Sequence, residues 1–248
     1  FSQKKPFDKI SSKSNEYINR SFDIAIEIIK KKISNKLING PISKKFFLKK
    51  KYLGITEYLA HKTRTKNFAM LIYNKDLSVC PLTTHLPIKQ VSKNINKDMI
   101  KKKIKLINNF FKKYLNHTPN IAITGLNPHC ESTATFDEDE KIIKPTIQSL
   151  TKLNYRIFGP FAADTIFLKK NREKYKVVVG MYHDQVLTPI KTLFEYDAIN
   201  ITLGLPFIRV SPDHGPNELM MGKNKSNPLS LIKALTFLDF KKLSLIHI

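Results

Sequence analysis

The amino-acid sequence predicts an α/β fold with a mostly parallel sheet flanked by helices. Short apolar segments alternate with longer amphipathic ones along the chain, which is the pattern of β-α units. Segments 177–181 and 198–203 are continuous apolar runs, as expected of interior strands in a parallel sheet. Polar residues follow where each run ends, and open α/β sheets bind ligands outside the carboxyl ends of their strands. The stretch 177–215 is therefore the first place to look for a functional site.

Helical periodicity begins near the start of the chain. Ser14 or Asn15 can cap a helix that runs to about residue 35, with apolar residues at steps of three and four. These residues are Ile18, Phe22, Ile26, Ile29 and Ile33. The run LINGPISKK then predicts a strand, a Gly-Pro turn and a helix start. That junction is either a plain strand-turn-helix connection or an anion-binding helix N-terminus.

The middle and the end of the chain continue the alternation. Segments 68–73 and 77–82 predict two strands joined by a tight polar turn. A Lys-rich helix is expected over 97–115, with its isoleucines and phenylalanines turned inward. The remaining expected elements are strands at 121–124 and 155–158 and helices at 137–150 and about 228–239.

Composition narrows the class of protein. The 248 residues suffice for one large domain or for two lobes, and no apolar run is long enough to span a membrane. Two cysteines, Cys80 and Cys130, are too few for a disulfide framework, so we expect a cytoplasmic location. The sequence starts at Phe1 without a signal-peptide core, which predicts a truncated N-terminus. The ending LSLIHI, which includes His247, is expected not to be native.

The net charge of +23 raises the question of nucleic-acid binding. Nearly all of the positive charge comes from lysine, which is spread along the chain beside many Ile and Asn residues. These three residue types have A/T-rich codons, so a biased genome explains the composition without a nucleic-acid function. No RNP-like motif, zinc finger or basic helix occurs. A non-catalytic nucleic-acid binder is a remote alternative, and we expect neither a nucleic-acid nor a membrane partner.

Three histidines occupy matching positions. His85, His129 and His183 each follow a predicted strand, which places the three imidazoles at one rim of the sheet. Three neutral imidazoles with an open fourth position form a catalytic divalent-metal site. The alternative is that they are unrelated loop histidines, because their separations have no metal-finger spacing.

Two cations further along are embedded in apolar sequence. Lys191 lies in LTPIK and Arg209 in LPFIRV, with Asn200 midway between them. Both cations can hold a phosphate or a carboxylate, and a buried charge requires such a partner. The candidate carboxylates are Asp164, Asp184 and Asp213, each able to orient a histidine, bind a cation or act as a base. Neither GxGxxG nor a Walker loop occurs.

At these residues the chain resembles the 4-hydroxythreonine-4-phosphate dehydrogenase family of pyridoxal phosphate biosynthesis. The matching segments, from about residue 39 to 218, are NGPISK, TEYLA, TTHLP, GLNPH, GPFAADT, GMYHDQ and NITLGLPFIRVSPDHG. The resemblance implies a fold like isocitrate and isopropylmalate dehydrogenases, with two lobes and a cleft between them. It also implies a homodimer with its active site at the subunit interface. The expected lobes are 1–48 plus 185–248, on the cofactor side, and 49–184, which carries the metal site and the dimer surface.

The same resemblance implies the chemistry. The expected activity is NAD-dependent and divalent-metal-dependent oxidation of 4-phosphooxy-threonine at C3, followed by decarboxylation to 3-amino-2-oxopropyl phosphate. The metal would be zinc, cobalt or magnesium, held by His85, His129 and His183. The residues implied to bind the phosphorylated substrate are Thr56, Lys191, Asn200 and Arg209. The expected catalytic residues are Asp164, Asp184 and Lys191, and no residue is assigned to NAD.

Three departures from the family pattern matter. Ile55 stands where the family usually has a substrate-binding histidine, which favours, as an alternative substrate, threonate or erythronate 4-phosphate. After GLNPH, the run Cys130-Glu131-Ser132 replaces a glycine-containing turn with one residue fewer, so a different backbone path is expected near His129. The family's N-terminal segment is not in this sequence, so we expect a fragment. A protein that keeps the fold and has lost the chemistry is a further alternative.

Overall fold

One eight-stranded sheet organises the chain. The computed structural model describes residues 10–49 and 51–239, so Phe1 and the segment 243–248 with His247 lie outside the described residues. Helices pack on both faces of the sheet. No helix in the described part of the chain is both long enough and apolar enough to cross a lipid bilayer.

The bounds of the elements follow the predicted alternation. The strands are β1 (Lys36–Ile38), β2 (Ala69–Tyr73), β3 (Ser78–Pro81), β4 (Ile121–Thr124), β5 (Ile157–Phe161), β6 (Val177–Gly180), β7 (Ile199–Leu203) and β8 (Ile208–Pro212). The helices are α1 (Asn15–Lys30), α2 (Lys44–Phe47), α3 (Ile55–Lys62), α4 (Ile88–Asn94), α5 (Lys97–Leu115), α6 (Lys144–Thr151), α7 (Ala163–Ile166), α8 (Lys169–Arg172), α9 (His183–Phe194) and α10 (Leu229–Asp239). A π-helical turn, Asp139–Ile143, precedes α6.

The sheet is mixed, with parallel pairings in the majority. Its strand order is β1-β8-β7-β2-β3-β6-β4-β5. Strands β3, β6, β4 and β5 form a parallel block, and β1 pairs with β8 in parallel. Strands β2 and β7 lie between these groups and run antiparallel to each of their neighbours. The predicted α/β class with a mostly parallel sheet is confirmed.

Strand β7 corrects one prediction. The run 198–203 was expected to be an interior parallel strand, whereas β7 is antiparallel to both β2 and β8. Its side chains alternate, with Ile199, Ile201 and Leu203 in the hydrophobic core. Asn200 and Thr202 point to the other face, so the strand has the in-out pattern of an antiparallel sheet. The run 198–203 has only two polar residues, Asn200 and Thr202, so its alternation was mistaken for a continuous apolar run.

Strand β6 shows the pattern that was expected of it. It pairs in parallel with β3 on one side and with β4 on the other. Val177 and Val179 belong to the hydrophobic core that also contains the inward face of α5, and Val178 packs with Val186 and Ile190 of α9 on the opposite face. Each fully buried aliphatic side chain of this kind stabilises the fold by about 1.5–3 kcal/mol. Burial on both faces explains the uninterrupted apolar sequence.

Other boundaries differ from the prediction for local reasons. Helix α1 ends at Lys30 and not near residue 35, because Lys32 has a φ of 59° that stops the helix. The predicted strand 155–158 is shifted to Ile157–Phe161, so the cis Gly159–Pro160 bond lies inside the strand. Strands that belong to both predicted lobes form this one sheet, and the lobe boundaries stay a prediction.

Candidate active site

A cleft of about 330 Å³ gathers most of the predicted site residues. It lies among the turn after β1, the start of α3, the segment after β3, one face of α9 and the strands β7 and β8. Six residues predicted to bind substrate or metal line it, together with the candidate carboxylate Asp213: Thr56, His85, His183, Lys191, Asn200 and Arg209. Thr56 and Arg209, the first and last of these six residues in the chain, are 153 positions apart. Their convergence makes this cleft the candidate active site.

Arg209 is the buried cation of the cleft. Its side chain, on β8, is only 3% exposed. Its Nε donates to Asn39 Oδ1 at 2.7 Å, and its Nη1 donates to Thr202 Oγ1 at 3.1 Å. Burial lowers the pKa of Arg209 to about 10, with the charge of Glu57 opposing that effect, so the guanidinium stays protonated at neutral pH. Two neutral oxygens hold it in place and leave other N–H groups for an anion.

Thr56 and Asn200 supply uncharged polar groups next to this cation. Thr56 Oγ1 lies 3.3 Å from Thr202 Oγ1, which ties α3 to β7. The side-chain oxygen of Asn200 is buried and has no hydrogen-bond partner within the part of the chain described. A buried acceptor without a donor is costly, so a ligand N–H or O–H is the natural partner for it.

Lys191 forms an ion pair inside the cleft. The Lys191 Nζ atom lies 2.6 Å from Asp213 Oδ2, where the geometry is that of an ion pair and not of a hydrogen bond. The same Nζ donates a hydrogen bond to the main-chain oxygen of Asp213. Burial raises the pKa of Asp213, although the neighbouring Lys191 charge works in the opposite direction. Asp213 thus holds the Lys191 ammonium through its carboxylate and its main-chain oxygen. Lys191, which was predicted to bind substrate, lines the cleft.

The raised pKa of Asp213 has a consequence for stability. The folded protein binds this proton more tightly than the unfolded chain, whose Asp has the ordinary value of 3.8. The stability contributed by this group is therefore fully present below about pH 3.8 and is lost as pH rises through the higher folded-state pKa. We expect the free energy of unfolding of the wild type to fall over this window relative to that of Asp213→Asn. Urea denaturation between about pH 3.5 and 7 measures the difference.

Asp76→Asn serves as the matched control for that measurement, because Asp76 is an exposed turn residue. It should leave the pH dependence of the wild type unchanged. Equal slopes for the wild type and Asp213→Asn would contradict a raised pKa at this position.

His85 and His183 lie side by side. Their ring centroids are 5.6 Å apart with planes inclined by 37°. His85 Nε2 is 2.8 Å from Lys44 Nζ, a contact in which the ammonium donates to an unprotonated ring nitrogen. His183 Nδ1 is 2.6 Å from Asp184 Oδ1, and such a carboxylate fixes the orientation of an imidazole. Asp184 thus contacts a predicted metal ligand without itself lining the cleft.

Glu57 is a carboxylate placed among these cations. Its Oε1 accepts a hydrogen bond from Thr84 Oγ1 at 3.1 Å and lies 3.9 Å from His85 Nδ1. Burial by itself would raise the pKa of Glu57, but the facing imidazole and the Thr84 hydroxyl hold that pKa below its ordinary value. Burial lowers the pKa of Lys44, against the opposing charge of Glu57.

Two predicted site residues lie elsewhere. His129 is exposed in the turn Pro128–Cys130, and Asp164 is exposed in α7. Neither lines the cleft. Among residues 10–49 and 51–239, no three side chains of the His, Cys, Asp and Glu types come together as metal ligands. One copy of the chain therefore brings two of the three predicted metal ligands, His85 and His183, into the cleft, and His214 also lines it.

The loop after β4 takes an unusual path. His129 and Cys130 have φ angles of 56° and 63°, in the left-handed region that few non-glycine residues adopt. The sequence predicts an altered backbone path at this position, and the difference from other proteins stays a prediction.

Sequence reasoning missed several groups in the cleft. Asn39 and Lys44 line the cleft, and Glu57 lies against His85; none of the three was among the predicted site residues, although they lie in the motifs NGPISK and TEYLA. The Lys of the Ser-Lys-Lys helix start was noted only as part of an anion-binding turn. Asp213, named as one of three possible carboxylates, is the one of the three that lines the cleft.

Comparison with known proteins identifies the family. A family model described as pyridoxal phosphate biosynthetic protein PdxA matches residues 2–238. The chain belongs to the PdxA family. A 4-hydroxythreonine-4-phosphate dehydrogenase from Sulfurihydrogenibium is 42% identical over 85% of this chain, and the match covers 66% of that protein. A D-threonate 4-phosphate dehydrogenase from Pectobacterium atrosepticum is 36% identical over 73% of this chain and 56% of its own length.

Solved PdxA-family structures agree with the fold. The crystal structure of 4-hydroxythreonine-4-phosphate dehydrogenase from Klebsiella pneumoniae superimposes with a TM-score of 0.78 at 30% identity. The superposition covers 92% of this chain and 71% of that one. The predicted isocitrate/isopropylmalate dehydrogenase-like fold is thereby confirmed. The chain spans about two thirds or less of the length of the two curated relatives described above.

Proposed function

We propose that this chain belongs to a dehydrogenase that oxidises 4-phosphooxy-threonine at C3, with NAD and a divalent metal, and decarboxylates the product to 3-amino-2-oxopropyl phosphate. The observation that carries the proposal is the convergence of Arg209, Lys191, Asn200 and Thr56 in one cleft, beside the neighbouring imidazoles of His85 and His183. A phosphorylated amino acid has a phosphate, a carboxylate and a reacting hydroxyl to be recognised, and the cleft offers cations and polar groups for each. Relatives named for this reaction support it.

The cations bind the anionic ends of the substrate. Arg209 is rigid and charged, which suits bidentate binding of a phosphate or carboxylate. The unpartnered oxygen of Asn200 can accept a hydrogen bond from the substrate amine or hydroxyl. Thr56 adds a hydroxyl on the wall formed by α3. These groups fix the position of C3 in the cleft.

The two neighbouring imidazoles fit a divalent metal. His85 and His183 would hold it, with His129 as the third ligand, supplied in the homodimer that the family resemblance implies. When bound, zinc, cobalt or magnesium polarises the substrate oxygen at C3, and NAD supplies the hydride acceptor. Asp184 keeps the His183 ring oriented for this task. Imidazole ligands favour zinc and cobalt over magnesium.

Lys191 is the proposed catalytic residue of the chain itself. Its ammonium is held in the cleft by Asp213, so it can donate a hydrogen bond to a substrate oxygen on which negative charge develops. Asp213 is positioned to accept a proton through this pair. Asp164, which is exposed outside the cleft, stays a prediction as a catalytic group.

The test compares two phosphorylated substrates on the whole protein that contains this chain. NADH formation is followed with 4-phosphooxy-threonine and with D-threonate 4-phosphate, under the same metal and NAD concentrations. The proposal predicts a higher kcat/KM for the amino acid. A kcat/KM that is higher for the threonate would assign the chain to the second activity within the family.

Ile55 is the specific observation in favour of that second activity. Its apolar side chain lines the cleft where the family usually has a substrate-binding histidine, and a relative named for D-threonate 4-phosphate is 36% identical. An imidazole donor at this place would add a charged or neutral hydrogen bond worth about 1–2 kcal/mol to the substrate.

We therefore expect Ile55→His to raise kcat/KM for 4-phosphooxy-threonine by about tenfold, as a gained hydrogen bond of this size does. The measurement is steady-state NADH formation with each substrate. Ile88→His places the same side chain on an exposed position of α4 and should change nothing. A loss of activity in Ile55→His would show that the isoleucine is adapted to another substrate.

A further inference from the structure

Gln185 has a buried side chain that the proposed chemistry does not use. It is the third residue of α9 and is 8% exposed. Its Oε1 accepts hydrogen bonds from Met181 N at 2.6 Å and from Thr124 Oγ1 at 2.8 Å. Its Nε2 donates to Gly125 O at 2.8 Å. One carboxamide thus connects the ends of two different strands.

The two strand ends are those that carry the proposed metal ligands. Strands β4 and β6 pair in parallel up to Ile123 and Val179. Beyond that point β4 continues into the loop with His129, and β6 continues into α9, which begins at His183. Beyond the last backbone pairing of β4 with β6, the Gln185 carboxamide links the two strands through its hydrogen bonds to Thr124, Gly125 and Met181.

Two glycines leave the space that this arrangement needs. A Cβ atom at Gly180 would lie 2.4 Å from Val186 Cγ1 and 3.0 Å from Gln185 Oε1. A Cβ atom at Gly125 would lie 2.6 Å from Asp139 Oδ1. The distances of 2.4 Å and 2.6 Å are too short for real atoms, so the close packing depends on glycine beside the Gln185 carboxamide at the end of β6 and beside Asp139 at the end of β4.

A buried carboxylate holds the same loop from the other side. Asp139, in the π-helical turn, is fully buried. It accepts hydrogen bonds from Leu126 N at 2.8 Å, from Asn127 N at 3.0 Å and from Asn127 Nδ2 at 3.0 Å. The first residues of the His129 loop are therefore fixed between Asp139 and Gln185, each of which makes three hydrogen bonds to this region of the protein.

We propose that Gln185 is a positioning residue that sets the His129 loop in register with the start of α9 at His183. The inference rests on the proposed metal-dependent function, because the two segments that Gln185 connects carry His183, a proposed ligand of this chain's own cleft, and His129, the ligand proposed to be supplied across the homodimer. Gln185 contacts neither imidazole, so it acts through Gly125, Thr124 and Met181. Groups hydrogen-bonded directly to metal ligands typically contribute about 10–100-fold to metal affinity, and we expect the lower end of that range for Gln185, which acts through neighbouring residues.

The first measurement is independent of metal. Amide hydrogen exchange is recorded by mass spectrometry on the wild type, on Gln185→Leu and on the isosteric Gln185→Glu, which keeps the acceptor and loses the donor to Gly125 O. Exchange should rise together in segments 125–130 and 181–185 and stay unchanged elsewhere. Gln148→Leu, an exposed position on α6, is the matched control. Exchange at wild-type rates in both segments of a folded Gln185 variant would overturn the proposal.

The second measurement titrates cobalt(II) into the same proteins and follows its visible absorption. The wild type should bind, Gln148→Leu should match it, and the Gln185 variants should bind at least about tenfold more weakly. Equal cobalt affinity and an equal spectrum in the variants would overturn the positioning role. Failure of the wild type to bind cobalt would count against the metal-dependent function instead, and the exchange measurement would still decide whether Gln185 couples the two segments.

Discussion

His183→Ala is expected to lower kcat for oxidation of 4-phosphooxy-threonine by about 1000-fold. His183 lies beside His85 at the start of α9 and is oriented by Asp184. A catalytic metal stabilises a developing negative charge by several kcal/mol, and about 4 kcal/mol corresponds to this factor. Removing one of the two cleft imidazoles that are proposed to hold the metal should weaken metal binding enough to lose most of that stabilisation.

The measurement is NADH formation at saturating substrate with added zinc or cobalt. His117→Ala is the matched control, because His117 is an exposed histidine that follows α5 and lies outside the cleft. It should retain wild-type activity. A His183→Ala protein with more than about one tenth of the wild-type kcat would contradict a metal-ligand role, since so small a loss is below that of a missing catalytic ligand.

Arg209→Lys is expected to reduce kcat/KM by about 100-fold. The substitution keeps a positive charge and removes the planar fork that donates to Asn39 and Thr202. Those two oxygens lose their donors in a buried place, and the substrate anion loses bidentate contact. Hydrogen bonds to charged groups contribute about 1.5–3 kcal/mol each, so a loss of about 3 kcal/mol is the expected scale.

A matched variant separates this effect from a general arginine-to-lysine effect. Arg156→Lys changes an exposed arginine before β5 and should leave kcat/KM and stability unchanged. Thermal denaturation of Arg209→Lys shows whether the protein is folded at the assay temperature. A folded Arg209→Lys with wild-type kcat/KM would remove Arg209 from the substrate site.

The fold could be predicted where burial is uniform along an element. Helix α5 has the predicted bounds because Ile100, Ile104 and Ile107 repeat on one face and pack into the core. Strand β6 was found because both of its faces are buried. Helix α9 was not predicted, since Pro189 lies inside it and proline normally ends a helical pattern.

Residues of the candidate site could be predicted where they lie in a recognisable sequence motif. Arg209 and Lys191 were singled out because a cation within an apolar run needs a buried partner, and the structure provides those partners. The three histidines were predicted to lie together because each follows a strand, but only two of them line the cleft. His85 and His183 line the cleft, whereas left-handed backbone angles at His129 and Cys130 direct that turn to an exposed position. Single-residue φ angles of this kind leave no periodic pattern in a sequence.

The most direct test of metal-dependent oxidative decarboxylation measures carbon dioxide and NADH together. The whole protein that contains this chain is incubated with NAD and 4-phosphooxy-threonine, with and without a metal chelator, and both products are quantified. We expect equal amounts of NADH and carbon dioxide, formation of 3-amino-2-oxopropyl phosphate, and loss of all three with chelator. NADH and carbon dioxide formed at an undiminished rate after complete metal removal would contradict the assignment of His85 and His183 to a catalytic metal.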